Sequence, residues 1–239
     1  MEQQPVTVTT LEYRRPQPLL WPTMLLLVSA ALWLAACQPP AQTETVCFAC
    51  TAEACEAAPC ELDVPPATPF TTGEIDLTGD GISETVHREG TRAWIEENGV
   101  RVWETADTWE VVDAAVGDPN DDGRGELLLV FWRDDGEGVP RSHPFIIGYR
   151  KGIYQALWGG SAVSESIHEL ALGDLDGDGI EELVVLEDAG GDGRTLGLWR
   201  WHGWGFSLMW RSEPGAYSGL VLVPSNGSRP GSVSVTRVP

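Results

Sequence analysis

The chain has 239 residues, 36 Asp and Glu against 15 Lys and Arg, and a formal charge of −21. With 42% hydrophobic residues it can bury a core, which excludes a wholly disordered chain, and its length permits one medium core or two small ones. Such an acidic chain is repelled by nucleic-acid backbones, so no nucleic-acid partner is expected, whereas a divalent cation suits it. The 27 Gly, 17 Pro and 11 Trp point to tight turns and aromatic strands more than to helices.

The acidity starts late. Residues 1–36 hold Glu2 and Glu12 against Arg14 and Arg15, so they sum to zero and the rest of the chain carries the whole −21. Arg14 and Arg15 precede a run from Leu19 to Ala36 that is apolar apart from Pro22, Thr23 and Ser29. A positive flank, an apolar run and small residues at its end are the parts of an export signal, and a run of this length can also span a bilayer. Leu34-Ala35-Ala36-Cys37 resembles the lipobox of bacterial lipoproteins. The resemblance implies that residues 1–36 are a cleaved signal peptide and that Cys37 becomes the lipidated N-terminal residue. The protein is then expected on the extracytoplasmic side of a bacterial membrane. A retained anchor helix and ordinary secretion are the alternatives.

Gln38 to Val46 reads as a spacer. Cys47, Cys50, Cys55 and Cys60 follow it. An even set of cysteines in an exported segment favours two disulfides, in one of about three connectivities. A four-thiolate zinc site beginning at Cys47-x-x-Cys50 is the rival, with a redox pair as a further reading. Residues 37–69 are expected to form a stapled stalk, ending at Pro65, Pro66 and Pro69.

Three segments then align without gaps: 76–84, 118–126 and 174–182. Oxygen side chains stand at positions 1, 3 and 5 of each, Gly at 6 and Glu at 9. Alternate oxygens around one centre suit a hard cation, and the Gly (Gly81, Gly123, Gly179) permits the turn that gathers them. These are not EF-hands, because the acid falls at position 9 and the loops lead into strands. Glu126–Trp132 and Glu182–Leu186 are apolar runs of the kind buried on both faces of a sheet. Asn98-Gly99, Lys151-Gly152 and His202-Gly203 divide further strand pairs with two-residue hairpin chemistry. Each unit therefore reads as loop, two strands, tight turn and two strands, which is the pattern of a propeller blade. The expected fold is all-β: a small propeller-like domain of about three four-stranded repeats over 70–224, followed by a flexible tail over 225–239.

These loops resemble the calcium-binding FG-GAP and VCBS-type repeats of β-propellers. The resemblance implies Ca²⁺ held by Asp174, Asp176, Asp178, the Ile180 carbonyl and Glu182, the fullest match. It implies a second set of Asp118, Asn120, Asp122, the Arg124 carbonyl and Glu126. The third set is Asp76, Thr78, Asp80, the Ile82 carbonyl and Glu84, thinner because Thr78 is neutral. The Phe-Gly and Gly-Ala-Pro signatures of the family are not present.

No nucleophile elbow, His-Glu-x-x-His pair or phosphate loop occurs, and His87, His143, His168 and His202 are scattered, so an enzyme is not expected. A calcium-dependent binding module for a protein or glycan is the first functional class, and a subunit completing a larger propeller is the second. Trp199, Trp201, Trp204 and Trp210 cluster around one hairpin and are expected mainly to pack between blades. Phe70–Ile75 is expected to close a monomeric ring beside Leu220–Val223; without that closure, two copies would pair.

Overall fold

Hairpins set the pattern of the molecule, a computed structural model that describes residues 43–51, 53–60, 65–134, 140–159, 165–226 and 229–237. Strands β1 (Glu44–Cys50) and β2 (Cys55–Ala58) come first. Next are β3 (Thr72–Ile75), β4 (Glu84–Glu89), β5 (Arg92–Glu97) and β6 (Val100–Glu104). Then follow β7 (Glu110–Gly117), β8 (Glu126–Asp134), β9 (Pro140–Arg150) and β10 (Ile153–Gly159). The third run is β11 (Ile167–Gly173), β12 (Glu182–Asp188), β13 (Arg194–Trp201) and β14 (Phe206–Arg211). The last strands are β15 (Tyr217–Val223) and β16 (Ser232–Arg237). Among the described residues the fold is all-β, in four antiparallel sheets of four strands with no helix.

Two of the three expected two-residue turns sit where the sequence puts them. The third, at His202-Gly203, is a longer connection over His202–Gly205, because β13 ends at Trp201 and β14 starts only at Phe206. Asn98 and Gly99 have φ of 50° and 76°, and Lys151 and Gly152 have 57° and 86°. Positive φ at both central residues gives the turn whose twist matches paired strands, and Asn and Gly adopt it readily. These turns join β5 to β6 and β9 to β10. The apolar runs in β8 and β12 are buried from Glu126 to Phe131 and from Glu182 to Glu187.

Each acidic loop connects the first two strands of one sheet: β3 to β4, β7 to β8, and β11 to β12. The repeat boundary therefore lies one strand earlier than the sequence pattern suggests. The strand before each loop pairs across that loop, because a short antiparallel return closes with little loss of chain entropy. Thr72–Ile75 accordingly pairs with Glu84–His87 and does not lie in the sheet of Leu220–Val223.

The fourth sheet overturns the stalk and the tail. Its order is β15-β16-β1-β2, so two C-terminal strands continue into two N-terminal ones. Glu44 opposes Arg237 and Ala49 opposes Ser232 in an antiparallel ladder. Cys47 bonds Cys60, and Cys50 bonds Cys55, so all four candidate cysteines form disulfides and none is left for zinc. Cys50 and Cys55 are direct partners in the β1–β2 register, and the bridges staple the hairpin that completes this sheet. Phe48 gives the physical reason: it is buried and packs on Trp210 of β14 at 5.5 Å, so the segment has an apolar face to cover. Residues Ala41 to Pro239 form one compact unit, with no boundary at residue 69.

Core clusters lie between sheets. Leu77, Val86, Ile95, Leu127, Phe131 and Ile147 join the first two complete sheets. Leu128, Ile146, Leu183, Trp199 and Phe206 join the next pair. Leu186, Leu198, Tyr217, Val233 and Phe48 join the third to the mixed-terminus sheet. Trp158 meets Trp201 and Phe206 edge-on across such a junction, while Trp204 at the hairpin tip is 79% exposed. Residues of β3, β7, β11 and β15, the first strands of all four sheets, line one cavity of about 810 Å³ together with 65–71.

Carboxylates tie these first strands together. Asp113 on β7 accepts from the Leu170 N–H of β11 at 3.0 Å. Glu169 on β11 accepts from the Gly219 and Leu220 N–H groups of β15 at 3.0 and 2.7 Å. Asp113 and Glu169 each stand five residues ahead of the first Asp of their loop, Asp118 and Asp174. The cavity's acids are thus engaged by backbone donors. Arg88 likewise bonds the Phe70 and Val112 carbonyls.

Candidate metal centres

The three loops share one local geometry. Gly81, Gly123 and Gly179 have φ of 87°, 80° and 87°, a left-handed turn open to Gly. Behind each turn the first Asp gathers backbone donors. Asp76 accepts from Gly79, Asp80 and Gly81 N–H, Asp118 from Asp122 and Gly123, and Asp174 from Gly177 and Gly179, at 2.6–3.2 Å. The Gly81 N–H leads the bonds that hold the Asp76 carboxyl below the usual carboxylate range.

The Glu at position 9 begins the second strand and turns back into the loop. Glu84 accepts from Leu77 N–H at 2.6 Å, and Glu182 from Leu175 N–H at 2.9 Å. Carboxylate oxygens of Asp76, Asp80 and Glu84 lie within 4.8 Å of one another, as do those of Asp118, Asp122 and Glu126 and those of Asp174, Asp176 and Glu182. Each of these three acidic clusters could hold a metal ion.

The remaining candidates fall nearby. Thr78 Oγ1 stands 3.5 Å from Asp76 Oδ1 and 3.4 Å from Glu84 Oε1. Asn120 Oδ1 accepts from Asp122 N–H at 3.1 Å. Asp178 stands outside the third cluster; it accepts from Ile180 N–H and pairs with Arg200. Ile82 and Arg124 are exposed and Ile180 is half-buried, so only their carbonyls are of use to a cation. Cys37 and the whole of 1–36 lie outside the described residues.

Loops 2 and 3 hold buried, unsatisfied acid. Glu126 Oε2 is buried and has no hydrogen-bond partner. Glu182 Oε1 also accepts no hydrogen bond, although Arg200 Nη1 lies 3.3 Å away. Burial pushes Glu126 up to about 7, with Arg150 opposing and Asp122 and Asp118 adding to the rise. Burial also pushes Glu182 up to about 7, against the Leu175 N–H and Arg200. Leaving a buried carboxylate oxygen unpaired is costly, and a cation, a hydrogen-bond donor or a proton can meet that cost.

Arg150 and Arg200 are the residues that sequence reasoning missed. Arg150 pairs with Asp122 and reaches Glu126 Oε1 at 2.7 Å. Arg200 pairs with Asp178, Asp176 and Glu182. Both arrive from the third strand of the sheet, β9 or β13, which the spacing inside a loop cannot disclose. Neighbouring loops also touch: Glu181 accepts from Asp118 N–H at 2.7 Å, and burial raises its carboxyl. At the matching position of the second loop stands Gly125, where a Cβ would lie 2.4 Å from Ile75 and 2.8 Å from the Asp76 carbonyl.

No protein-family model matches the chain, and no curated protein matches it.

Proposed function

We propose that this protein is a calcium-stabilised β-propeller module of four blades, held at a membrane by lipid on Cys37 and presenting its surface to a protein or glycan ligand. The observation that carries the cation reading is the pair of buried carboxylate oxygens without hydrogen-bond partners, Glu126 Oε2 and Glu182 Oε1. The loops supply carboxylates and an amide oxygen with no nitrogen or sulfur donor, the chemistry of a hard ion. Ca²⁺ tolerates an irregular shell of about six to eight oxygens, whereas Mg²⁺ demands a regular octahedron, which a loop sharing its carboxylates with backbone N–H groups does not favour.

The cavity lined by the first strands of all four sheets supports the propeller arrangement, and the sheet joining both termini supports closure within one chain. That sheet also weakens the alternative of a subunit waiting for a second chain to complete it. Two disulfides suit an oxidising, extracytoplasmic compartment. Cys37 stands seven positions before Glu44 at the start of β1, a reach of about 24 Å when extended, so a lipid anchor would hold the module close to the bilayer.

Melting the full chain in chelator and in millimolar Ca²⁺ tests this reading. At an affinity of ~10⁻⁴ M, 1 mM Ca²⁺ adds about 1.4 kcal/mol per occupied site, or roughly 3–5 °C in a domain of this size. Identical curves in the two buffers would reject it.

A further inference from the structure

We propose that Arg150 and Arg200 are built-in counter-cations of loops 2 and 3, which an incoming Ca²⁺ must displace. The proposal rests on the calcium reading above and adds what regulates it.

Each guanidinium is directed at the oxygens a cation would claim. Arg150 pairs with Asp122 and Glu126, positions 5 and 9 of its loop, and its side chain is 22% exposed. Arg200 pairs with Asp176, Asp178 and Glu182, positions 3, 5 and 9, and is 15% exposed. Ca²⁺ binds oxygens at about 2.3–2.6 Å, too close for a guanidinium to keep the same partners. The arginine pairings are also incomplete, since Glu126 Oε2 and Glu182 Oε1 accept no hydrogen bond. A monovalent, planar cation answers only part of each cluster: Arg150 leaves Glu126 Oε2 without a partner, and Arg200 faces Glu182 Oε1 at 3.3 Å without a hydrogen bond.

The first loop is the internal comparison. Among the described residues, no Arg, Lys or His pairs with Asp76, Asp80 or Glu84. The third strand of that sheet ends in Glu97, which accepts from the Tyr154 hydroxyl at 2.7 Å. One chain thus carries two loops with an arginine in place and one without. Loops 2 and 3 would then fill only as Ca²⁺ rises, releasing their arginines to the surface as they do.

Calorimetric titration of the full chain with Ca²⁺ tests the competition. Arg150→Gln and Arg200→Gln are each expected to tighten one binding event by ~10-fold, the scale of one partly buried charge partner, while Arg200→Lys stays near wild type. A second readout needs no variant. Ca²⁺ is expected to speed phenylglyoxal modification of Arg150 and Arg200 in the wild-type chain, read by peptide mass spectrometry. Ca²⁺ binding to the wild type with no gain in either Gln variant, and no change in arginine modification, overturns the counter-cation role and leaves the calcium reading standing. Absence of Ca²⁺ binding in the wild type and in both Gln variants overturns the calcium reading, and this proposal with it.

Discussion

Phe48→Ala measures how far the cysteine-rich segment belongs to the fold. Phe48 is 8% exposed in β1, lies in the cluster with Leu198, Tyr217 and Val233, and meets the Trp210 ring at 5.5 Å. Truncating a buried Phe costs about 3–5 kcal/mol through lost transfer energy and the cavity left behind. For a domain of this size each kcal/mol moves Tm by roughly 2–4 °C, so the variant should melt about 6–20 °C below wild type. In urea, with a slope of about 2–3 kcal/mol/M, the midpoint should fall by about 1–2.5 M. Thr45→Ala, at an exposed position on the same strand, should stay within about 0.5 kcal/mol of wild type. Both variants are followed by tryptophan fluorescence in chelator, which keeps cation binding out of the comparison. A stalk outside the folded unit would give the two substitutions the same negligible shift. Unchanged stability of Phe48→Ala would refute the shared sheet.

Three other outcomes follow from particular groups. Burial raises Asp113, the Leu170 and Ala114 N–H groups oppose the shift, and the charges nearby are Arg88 and Glu169. A carboxyl bound more tightly to its proton in the folded state contributes stability below the unfolded value near 4 and loses it as pH rises through the raised value; carboxyl ¹³C titration should therefore place its midpoint above about 4, and a midpoint below that contradicts the assignment. Replacing Cys47 and Cys60 by Ser opens a loop with a sequence separation of 13, and chemical denaturation should show a loss of about 3 kcal/mol, whereas no loss would mean the bridge constrains nothing. Cys37→Ser should abolish acyl labelling of the protein in cells, and normal labelling of that variant would end the lipid-anchor reading.

Much of the local structure was legible because its causes are local. Asn98-Gly99 and Lys151-Gly152 demand left-handed turns that few other residue pairs adopt, and the apolar runs in β8 and β12 have no polar face to show water. Spacing alone groups most of the loop acids, since alternate residues around a Gly turn are neighbours in space, although Asp178 stands outside the third cluster. The fourth sheet was missed because its pairing joins Glu44 to Arg237 across the whole chain, with no local signal for such a closure. Ser232–Arg237 does alternate Ser with Val, a strand signal inside the segment read as a flexible tail. Val233 and Val235 are buried on one face, but Ser234 is buried on the other and Arg237, on the valine face, is exposed at the strand end, so the alternation marks a strand without setting its burial. Arg150 and Arg200 were invisible for another reason: which third-strand residue faces a loop depends on sheet register, which loop spacing does not contain. Asp113 and Glu169 did leave a sign, the same five-residue offset from Asp118 and Asp174, and a search for repeats extended upstream of the loops would have found them.

The most direct test of the calcium account is a crystal structure grown in Ca²⁺, with anomalous difference maps collected at long wavelength. The account predicts a peak in loop 2 and another in loop 3, each within about 2.3–2.6 Å of carboxylate oxygens, with Glu126 and Glu182 among the ligands and the Arg150 and Arg200 guanidinium groups moved out of the clusters. Well-ordered loops at saturating Ca²⁺ with no anomalous peak, and with both arginines still paired to Asp122 and Asp178, would contradict it.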